Sequence, residues 1–195
     1  SGSTHETIFV EFKTEGMRYG VFTVYDKSGN SSEIIIKANL DRTAPPVPNN
    51  LVAYVYNKVR DAGTSVSNDK YSFGSWTNRY VQVQTAPGLN NDKESNGTSL
   101  SGFWEFRYEA LNNAGQRVGT SPYKTYTSGK GLYDFKGTAT QVDGKNKIRF
   151  MSCDIAGNCT QWGNYKNVWI DITVPVCSVE KVLNGTESTY GWLGS

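Results

Sequence analysis

The sequence predicts an all-β protein built as a two-sheet antiparallel sandwich, and three observations carry this prediction. Short segments of alternating polar and apolar residues are separated by turn signals at intervals of about ten residues, which is typical of sandwich strands. Aromatic residues make up 13% of the 195 residues, with 12 Tyr, 8 Phe and 5 Trp, and such residues favour half-buried strands. No helical period of about 3.6 residues persists along the chain.

Six segments carry the predicted strands of the central part, and they span residues 51–56, 80–85, 103–110, 131–139, 146–153 and 164–171. The third segment alternates between two faces, with Trp104, Phe106 and Tyr108 on one and Glu105, Arg107 and Glu109 on the other. Because neighbouring side chains of a strand point to opposite faces, we expect the aromatic face in the core and the charged face in water. A core-facing Trp104 on a central strand is typical of a sandwich.

Two stretches of the chain resemble each other. Residues 24–47, "VYDKSGNSSEIIIKANLDRTAPPV", match residues 152–177, "SCDIAGNCTQWGNYKNVWIDITVPVC". The first matched residues lie 128 apart, and they are Asp26, Gly29 and Asn30 with Asp154, Gly157 and Asn158. The second set lies 130 apart, and it pairs Asp41, Thr43 and Pro45 with Asp171, Thr173 and Pro175. The internal similarity predicts a repeated unit of roughly 115 to 130 residues.

Proline clusters mark the predicted domain boundaries. Pro45, Pro46 and Pro48 cannot donate to a β-ladder and hold the chain extended, and Pro175 has the same effect near the end. We therefore expect residues 1–43 to be the C-terminal strands of a truncated domain and residues 44–174 to be a complete domain. Residues 175–195 are expected to start a third, truncated domain.

The repeated end motifs resemble those of a known family. Asp-x-(Ala/Ser)-Gly-Asn, followed by a strand and then by (Ile/Leu)-Asp-x-Thr-x-Pro, is similar to the end of the bacterial Ig-like repeats found in tandem in surface and secreted proteins of Firmicutes and similar bacteria. The stretch "GSWTNRYVQV" resembles the start of their second strand. The chain departs from the usual Asp-Lys-Thr-Ala-Pro at Arg42, Ile172 and Val174. The resemblance implies an Ig-like antiparallel β-sandwich in a tandem-repeat segment with truncated flanking units.

The same resemblance implies a function outside the cell. It predicts a non-catalytic stalk or spacer of a bacterial cell-surface or secreted protein, with neighbouring Ig-like repeats of the same chain as partners. An adhesive module that binds a glycan or a host surface protein is the alternative. A further alternative is an accessory domain of a carbohydrate-active enzyme.

The repeated turns have a structural interpretation and a metal-binding one. Each aspartate can accept hydrogen bonds from backbone amides two residues on, and each glycine can take the positive φ that a short loop requires. Because this turn chemistry accounts for every residue type, we expect structural turns, and calcium ligation between domains is the alternative. The six turn residues are Asp26, Gly29, Asn30, Asp154, Gly157 and Asn158.

Cys153 and Cys159 flank the second turn and are predicted to form a disulfide. Opposed positions in an antiparallel pair bring Cα atoms to about 4.5 to 5.5 Å, which is within disulfide range. The repeat has Tyr25 and Ser31 at the equivalent positions, so both cysteines are missing together. A zinc site would need further Cys or His ligands, and the only histidine lies in the truncated unit. The partner of Cys177 is expected beyond residue 195.

A polar loop gives the best calcium pattern of the sequence. Asp92, Glu94 and Asn96 fall at positions 1, 3 and 5 of a calcium loop, and Gly97 falls at position 6. Phe103 replaces the bidentate Glu of position 12, however. We therefore expect a polar surface loop and no cofactor, with calcium as the alternative.

The residues needed for catalysis are missing from the pattern. With one histidine there is no Ser-His-Asp or Cys-His arrangement in the complete domain. Glu105 and Glu109 are the obvious carboxylates for glycoside hydrolysis, but they are expected on the solvated face of their strand. The sequence therefore predicts that the chain is not an enzyme.

Trp169 is the candidate contact residue. It alternates with Val168 and Ile170, and it lies two residues before Asp171 at the predicted boundary. We expect its ring to pack on a neighbouring domain, with stacking on a sugar as the alternative.

Charge and hydropathy exclude two classes of partner from the prediction. The net charge is +2, and the Lys and Arg residues form no basic stripe of the kind that binds a nucleic-acid backbone. No run of about 18 apolar residues occurs, so this segment is not expected to contact a membrane.

Overall fold

The strands of the protein follow one another with short turns in a computed structural model that describes residues 7–58, 69–85, 100–119, 124–125, 130–177, 186–187 and 193–194. The strands are β1 (Gly16–Tyr25), β2 (Ser31–Leu40), β3 (Leu51–Lys58), β4 (Trp76–Thr77), β5 (Arg79–Thr85), β6 (Phe103–Leu111), β7 (Arg117–Val118), β8 (Lys124–Thr125), β9 (Leu132–Phe135), β10 (Gly144–Asp154), β11 (Lys166–Ile170), β12 (Thr186–Glu187) and β13 (Leu193–Gly194). The helix α1 (Ala139–Val142) lies between β9 and β10. The chain is all-β, as predicted, and each of the six predicted segments contains an observed strand.

Two sheets share one apolar core. One sheet has the strand order β4-β11-β10-β6-β7, with β8 also paired to β6, and the other has the order β3-β5-β9. Neighbouring strands run antiparallel, except that β4 and β11 are parallel. The rings of Tyr108 in β6 and Tyr133 in β9 have centroids 4.7 Å apart, so the two sheets touch through aromatic side chains. We call the assembly of β3 to β11 with α1 the two-sheet body.

The core of the two-sheet body follows from the alternation of its strands. Every second residue of β5, β10 and β11 is buried, and each fully buried Val, Ile or Phe side chain contributes roughly 1.5 to 3 kcal/mol to stability. The core residues are Ala53, Val55, Tyr71, Val81, Val83, Phe106, Tyr108, Ala110, Phe135, Val142, Ile148, Phe150, Val168 and Ile170.

The helix α1 corrects the predicted strand over residues 131–139. Strand β9 ends at Phe135, and the Gln141 side chain accepts a hydrogen bond of 2.9 Å from the backbone N–H of Thr138. This Thr-x-x-Gln arrangement is half of a capping box, a local signal that favours a helix start over an extended strand. The turn of helix places Val142 in the core. No helix in the described residues has the length and apolarity that a membrane span requires.

A β-bulge corrects the predicted orientation of Trp104. Consecutive residues of β10 pair with Phe103 and Glu105, so Trp104 is an extra residue in β6. Phe103 therefore packs against the core, with its ring centroid 4.6 Å from that of Phe106. Trp104 is turned outward and is 51% exposed. The prediction of a core-facing Trp104 is wrong, because strict alternation does not hold across the bulge.

Strands β1 and β2 form a separate antiparallel sheet, the N-terminal hairpin. Its register matches that of β10 and β11. Gly16 pairs with Leu40, and Gly144, which lies 128 residues after Gly16, pairs with Ile170, which lies 130 residues after Leu40. All five residue pairs that join β10 to β11 have such a counterpart in the N-terminal hairpin.

The N-terminal hairpin exposes apolar side chains. Val24 and Ile34 are 53% and 55% exposed, respectively. The position equivalent to Phe22 is Phe150, which is fully buried in the core of the two-sheet body. One face of the hairpin and the preceding segment line an apolar groove of about 210 Å³, and the lining residues are Ile8, Val10, Phe22, Val24, Ile34 and Ile36.

Candidate functional site

The second repeated turn lies directly after β10 and is closed by its own side chains. Asp154 Oδ1 accepts the backbone N–H of Asn158 at 2.7 Å, and Asp154 Oδ2 accepts the Asn158 side-chain amide at 2.8 Å. Gly157 has a φ of +94°, which residues with a Cβ rarely adopt. Asp154 is fully buried, so its carboxylate depends on these bonds.

The first repeated turn has the same hydrogen bonds. Asp26 Oδ1 accepts the backbone N–H of Asn30 at 2.8 Å, and Asp26 Oδ2 accepts the Asn30 side-chain amide at 2.7 Å. The Asn30 side-chain hydrogen bond lowers the pKa of the Asp26 carboxyl. Gly29 has a φ of +87°. Each turn aspartate therefore binds groups of its own turn.

The metal hypotheses have no support in the described part of the chain. No group of three or more His, Cys, Asp or Glu side chains there is arranged to hold a metal ion. Asp92, Glu94 and Asn96 lie outside the described residues. Calcium binding by their loop stays a prediction.

The disulfide predicted between Cys153 and Cys159 is formed, and the two Cα atoms are 4.2 Å apart. The two cysteines lie directly opposite each other across the turn, as Tyr25 and Ser31 do in the N-terminal hairpin. The same turn is thus built once with sulfur and once without it. Cys177 has an exposed free thiol, and its expected partner stays a prediction.

The second turn also binds the linker between the N-terminal hairpin and the two-sheet body. The Asn158 side-chain amide donates to the backbone carbonyl of Asp41 at 3.1 Å. The backbone N–H of Ser101, just before β6, donates to Asp41 Oδ2 at 2.9 Å. Two loops of the two-sheet body therefore bind a single aspartate that follows β2.

Further contacts hold the rest of the linker against the two-sheet body. The Ser152 hydroxyl donates to the backbone carbonyl of Pro46 at 2.7 Å, and the backbone N–H of Asn164 donates to Asn49 Oδ1 at 2.9 Å. Pro48 is fully buried. The linker from residue 41 to residue 49 is thus bound at several points.

A carboxylate before β1 fixes the backbone around Asp41. Glu15 Oε1 accepts the backbone N–H of Arg42 at 2.7 Å, and Glu15 Oε2 accepts the Thr43 hydroxyl at 2.8 Å. Asp41 Oδ1 accepts the backbone N–H of Thr43 at 3.1 Å.

The segment after β11 has the same arrangement around Asp171. Asp143 Oδ1 accepts the backbone N–H of Ile172 at 2.8 Å, and Asp143 Oδ2 accepts the Thr173 hydroxyl. Asp171 Oδ1 accepts the backbone N–H of Thr173 at 3.1 Å. Asp171 is therefore held by the same set of bonds that holds Asp41.

A second cluster lies on the outward face of the larger sheet and is centred on Glu109. Arg117 Nη2 lies 2.6 Å from Glu109 Oε1, and Arg149 Nε lies 2.7 Å from Glu109 Oε2. The Tyr165 hydroxyl donates to Glu109 Oε2. Burial alone would raise the pKa of the Glu109 carboxyl, but the hydrogen bonds from Tyr165, Arg117 and Arg149 outweigh it and lower the pKa to about 2.

These contacts correct the expectation that Glu105 and Glu109 are solvated. Each glutamate is only 7% exposed, because arginine side chains cover the outward face. Arg107 Nε lies 2.7 Å from Glu105 Oε1. A general acid for glycoside hydrolysis needs a raised pKa, and the lowered pKa of Glu109 does not suit that role.

Aromatic rings and cations alternate along the same outward face. The rings of Trp76 and Trp169 have centroids 5.7 Å apart. Lys145 Nζ lies 5.1 Å from the Trp169 ring, and Lys147 Nζ lies 4.6 Å from the Tyr165 ring. Each such cation–π contact contributes about 0.5 to 1 kcal/mol at exposed sites.

We call this surface the aromatic–cationic face. Its members are Trp76, Trp162, Trp169, Tyr165, Lys145, Lys147, Arg149 and Glu109. Trp76 is 55% exposed, and Trp169 packs on it within the two-sheet body. Binding of a neighbouring domain or a sugar by Trp169 stays a prediction.

The sequence patterns did not predict two groups of residues. Arg149 lies directly opposite Glu109 in the ladder of β6 and β10, and only the strand register could have identified that pair. Ser101 and Asp41 contact each other across 60 residues of chain. The repeat of Asp41 as Asp171 was the available signal for that contact.

Comparison of the chain with models of protein families, with curated proteins and with solved structures found no match. The function is therefore argued from the contacts and from the internal repeat of the molecule.

Proposed function

We propose that the chain is a segment of an extracellular bacterial stalk or spacer built from tandem Ig-like units, and that it is not an enzyme. The observation that carries this proposal is the repeated hairpin. The N-terminal hairpin and the β10–β11 hairpin have equivalent pairs, equivalent turns and equivalent carboxylate contacts after their second strands. Such a recurrence supports a chain made of copies of one unit.

The strand order of the two-sheet body supports the Ig-like assignment. In Ig-like sandwiches strands A, B and E lie in one sheet, and strands C, F and G lie in the other, with C′ added in the variable type. Strands β3, β5 and β9 correspond to A, B and E in chain order. Strands β6, β7, β10 and β11 correspond to C, C′, F and G.

The exposed N-terminal hairpin supports the proposed division into units at residues 43 and 174. A two-stranded sheet is marginally stable by itself, and this one exposes apolar side chains such as Val24 and Ile34. Its equivalent in the two-sheet body packs the matching face in the core. The N-terminal hairpin therefore has the properties of the last two strands of a preceding unit.

The linker contacts support a spacer function. A spacer has to limit bending between units, and proline-rich segments are stiffer than ordinary linkers. Here Pro48 is fully buried and the carbonyl of Pro46 is bound by Ser152. The disulfide is compatible with an oxidising, extracellular environment.

Small-angle X-ray scattering of the purified chain tests the spacer proposal. A compact chain of 195 residues has a radius of gyration of about 16 Å. We expect a clearly larger value and a rod-like distance distribution that does not change with salt. A radius of gyration near that of a compact chain, or the profile of a flexible pair of bodies, would contradict the proposal.

An adhesive module that binds a glycan or a host surface protein is the second candidate function. The aromatic–cationic face favours it, because exposed indole rings can stack on the apolar faces of sugars or of a protein partner. An accessory domain of a carbohydrate-active enzyme would use the same face.

A binding screen separates the two candidates. The chain is applied to a glycan array and to host matrix proteins, together with its Trp169→Ala and Trp104→Ala variants. Trp104 is exposed but lies outside the aromatic–cationic face, which makes it the matched control. Specific binding that Trp169→Ala abolishes and Trp104→Ala keeps would favour adhesion, whereas no binding at all would favour the spacer.

A further inference from the structure

One aspartate at each predicted unit boundary occupies an equivalent position, but the two have different surroundings. Asp41 is half-buried and is bound by Asn158 and Ser101 of the two-sheet body. Asp171, its equivalent 130 residues later, is exposed. Among the described residues the Asp171 carboxylate has one recorded donor, the N–H of Thr173 in its own segment.

The backbone around Asp171 is already held as it is around Asp41. Asp143 binds the two residues after Asp171 in the way that Glu15 binds the two residues after Asp41. The Asp171 carbonyl and the second carboxylate oxygen are therefore fixed in position at the end of the two-sheet body. A partner would not have to order this segment in order to bind it, which lowers the cost of association.

The other end of the chain has the complementary donor. A side-chain amide has two N–H donors, and Asn158 uses them on Asp154 and Asp41. Asn30 donates to Asp26 in the same way, and the described residues include no aspartate from another segment beside it. The chain thus carries a donor turn at one end and an acceptor aspartate at the other.

We propose that Asp171 is the docking point for a second copy of the unit formed by residues 44–174. The turn asparagine of that copy donates to the Asp171 carbonyl, and the amide equivalent to Ser101 donates to the Asp171 carboxylate. The contact is heterologous, because donor and acceptor lie at different ends, and it therefore propagates from unit to unit. This inference rests on the proposed tandem arrangement and adds the partner and the contact.

A head-to-tail extension of the chain tests the proposal. Residues 1–173 are joined directly to a second copy of residues 44–177, which is correct in register because Thr173 is equivalent to Thr43. Amide hydrogen exchange of Ser101 is then measured in each copy by NMR with segmental isotope labelling. This amide donates to the docking aspartate, so its exchange rate reports the contact directly.

We expect the two Ser101 amides to exchange at similar rates in the extended chain. Asp171→Ala is expected to accelerate exchange in the second copy by at least about tenfold and to leave the first copy unchanged. Asp41→Ala is expected to have the reciprocal effect. Asp171→Asn, which keeps the size and one acceptor oxygen, is expected to cause a smaller acceleration.

The control and the opposing outcomes separate this inference from the proposed function. Asn30→Ala removes the same turn bond where nothing is docked, and it is expected to change neither Ser101 amide. If the second copy does not reproduce the amide spectrum of the first, the tandem-unit proposal fails and the docking point fails with it. If the second copy folds identically but its Ser101 exchanges fast regardless of residue 171, only the docking inference is overturned.

Discussion

Glu109 is the residue whose ionisation matters most for the outward face of the larger sheet. Its carboxylate binds Arg117 of β7 and Arg149 of β10, and it also accepts the Tyr165 hydroxyl. A lone buried carboxylate would destabilise the fold, and these donors reverse that effect. The net result is a pKa lowered from 4.5 to about 2.

Glu109→Gln is expected to destabilise the protein at neutral pH. The pKa is lower in the folded state, so the carboxylate stabilises the fold fully above about pH 4.5, and this contribution is lost as pH falls towards 2. We expect a loss of on the order of 2 kcal/mol at pH 7 and a much smaller one at pH 2, measured by urea unfolding.

A surface ion pair provides the control for that measurement. Glu11 pairs with Lys13, and these side chains are 74% and 76% exposed. Glu11→Gln is expected to change stability by less than about 0.5 kcal/mol at either pH. An equal loss for Glu109→Gln at pH 7 and pH 2 would mean that packing, and not charge, explains its effect.

The double variant Cys153→Ser, Cys159→Ser is expected to fold and to be less stable. The equivalent turn of the N-terminal hairpin closes with Tyr25 opposite Ser31, so the disulfide is not needed for the turn itself. Loss of a bridge across so short a loop costs about 2 kcal/mol, which urea unfolding measures. An unfolded double variant would contradict this interpretation and make the disulfide a requirement of the fold.

Some residue environments followed from sequence, and others did not. The turn residues were identifiable because their hydrogen bonds are local, within five residues of chain. Trp104 was misplaced because a bulge shifts the alternation, and a bulge depends on the partner strand. Glu109 was misplaced because its covering arginine, Arg149, lies 40 residues away in sequence.

The two equivalent hairpins differ at the level of the element. Strands β1 and β2 pair continuously from Tyr25 with Ser31 to Gly16 with Leu40. In the two-sheet body the ladder between β10 and β11 starts only at Lys166, and the segment before it contacts the linker through Asn164. The two extra residues in the second hairpin, the difference between 130 and 128, fall within this segment.

Hydrogen exchange is expected to separate these two hairpins. Amides of β1 and β2 should exchange much faster than those of β10, because a two-stranded sheet with exposed faces opens at a low free-energy cost. Strand β10 is hydrogen-bonded on both sides, by β6 and β11, and has Ile148 and Phe150 in the core. The measurement is amide exchange by NMR at neutral pH, and equal protection of both hairpins would contradict the expectation.

Strand positions were predictable, whereas strand neighbours were not. Alternation and turn signals located the six central strands, but they carry no information on which edges meet. The parallel pairing of β4 with β11 joins residues 93 positions apart, as Trp76 and Trp169 show. Helix α1 was missed because a segment of four residues is too short for a helical period.

The whole molecule depends on the contact between the second turn and the linker. The repeat in the sequence predicted units and boundaries, which stay a proposal. It did not predict how one unit binds the next, because Asn158 and Asp41 are 117 residues apart.

Asn158→Ala is expected to loosen the linker without unfolding the two-sheet body. The variant removes the bond to Asp41, so the segment 41–49 should be cleaved several times faster by a protease, since cleavage follows local opening. Limited proteolysis with mass spectrometry measures this. Asn30→Ala is the matched control and should leave the cleavage rate unchanged, and an unchanged rate for Asn158→Ala would show that the prolines alone protect the linker.

The parallel pair of β4 and β11 determines how a pulling force would act on a unit. Strand β4 belongs to the beginning of the two-sheet body and β11 to its end, and they run in the same direction with Trp76 opposite Trp169. A tension applied between the two ends draws one strand lengthwise along the other. The hydrogen bonds and the contact between the two indole rings then resist together, and not one after another. A unit tethered at both ends would therefore bear load through this short pair as a shear joint.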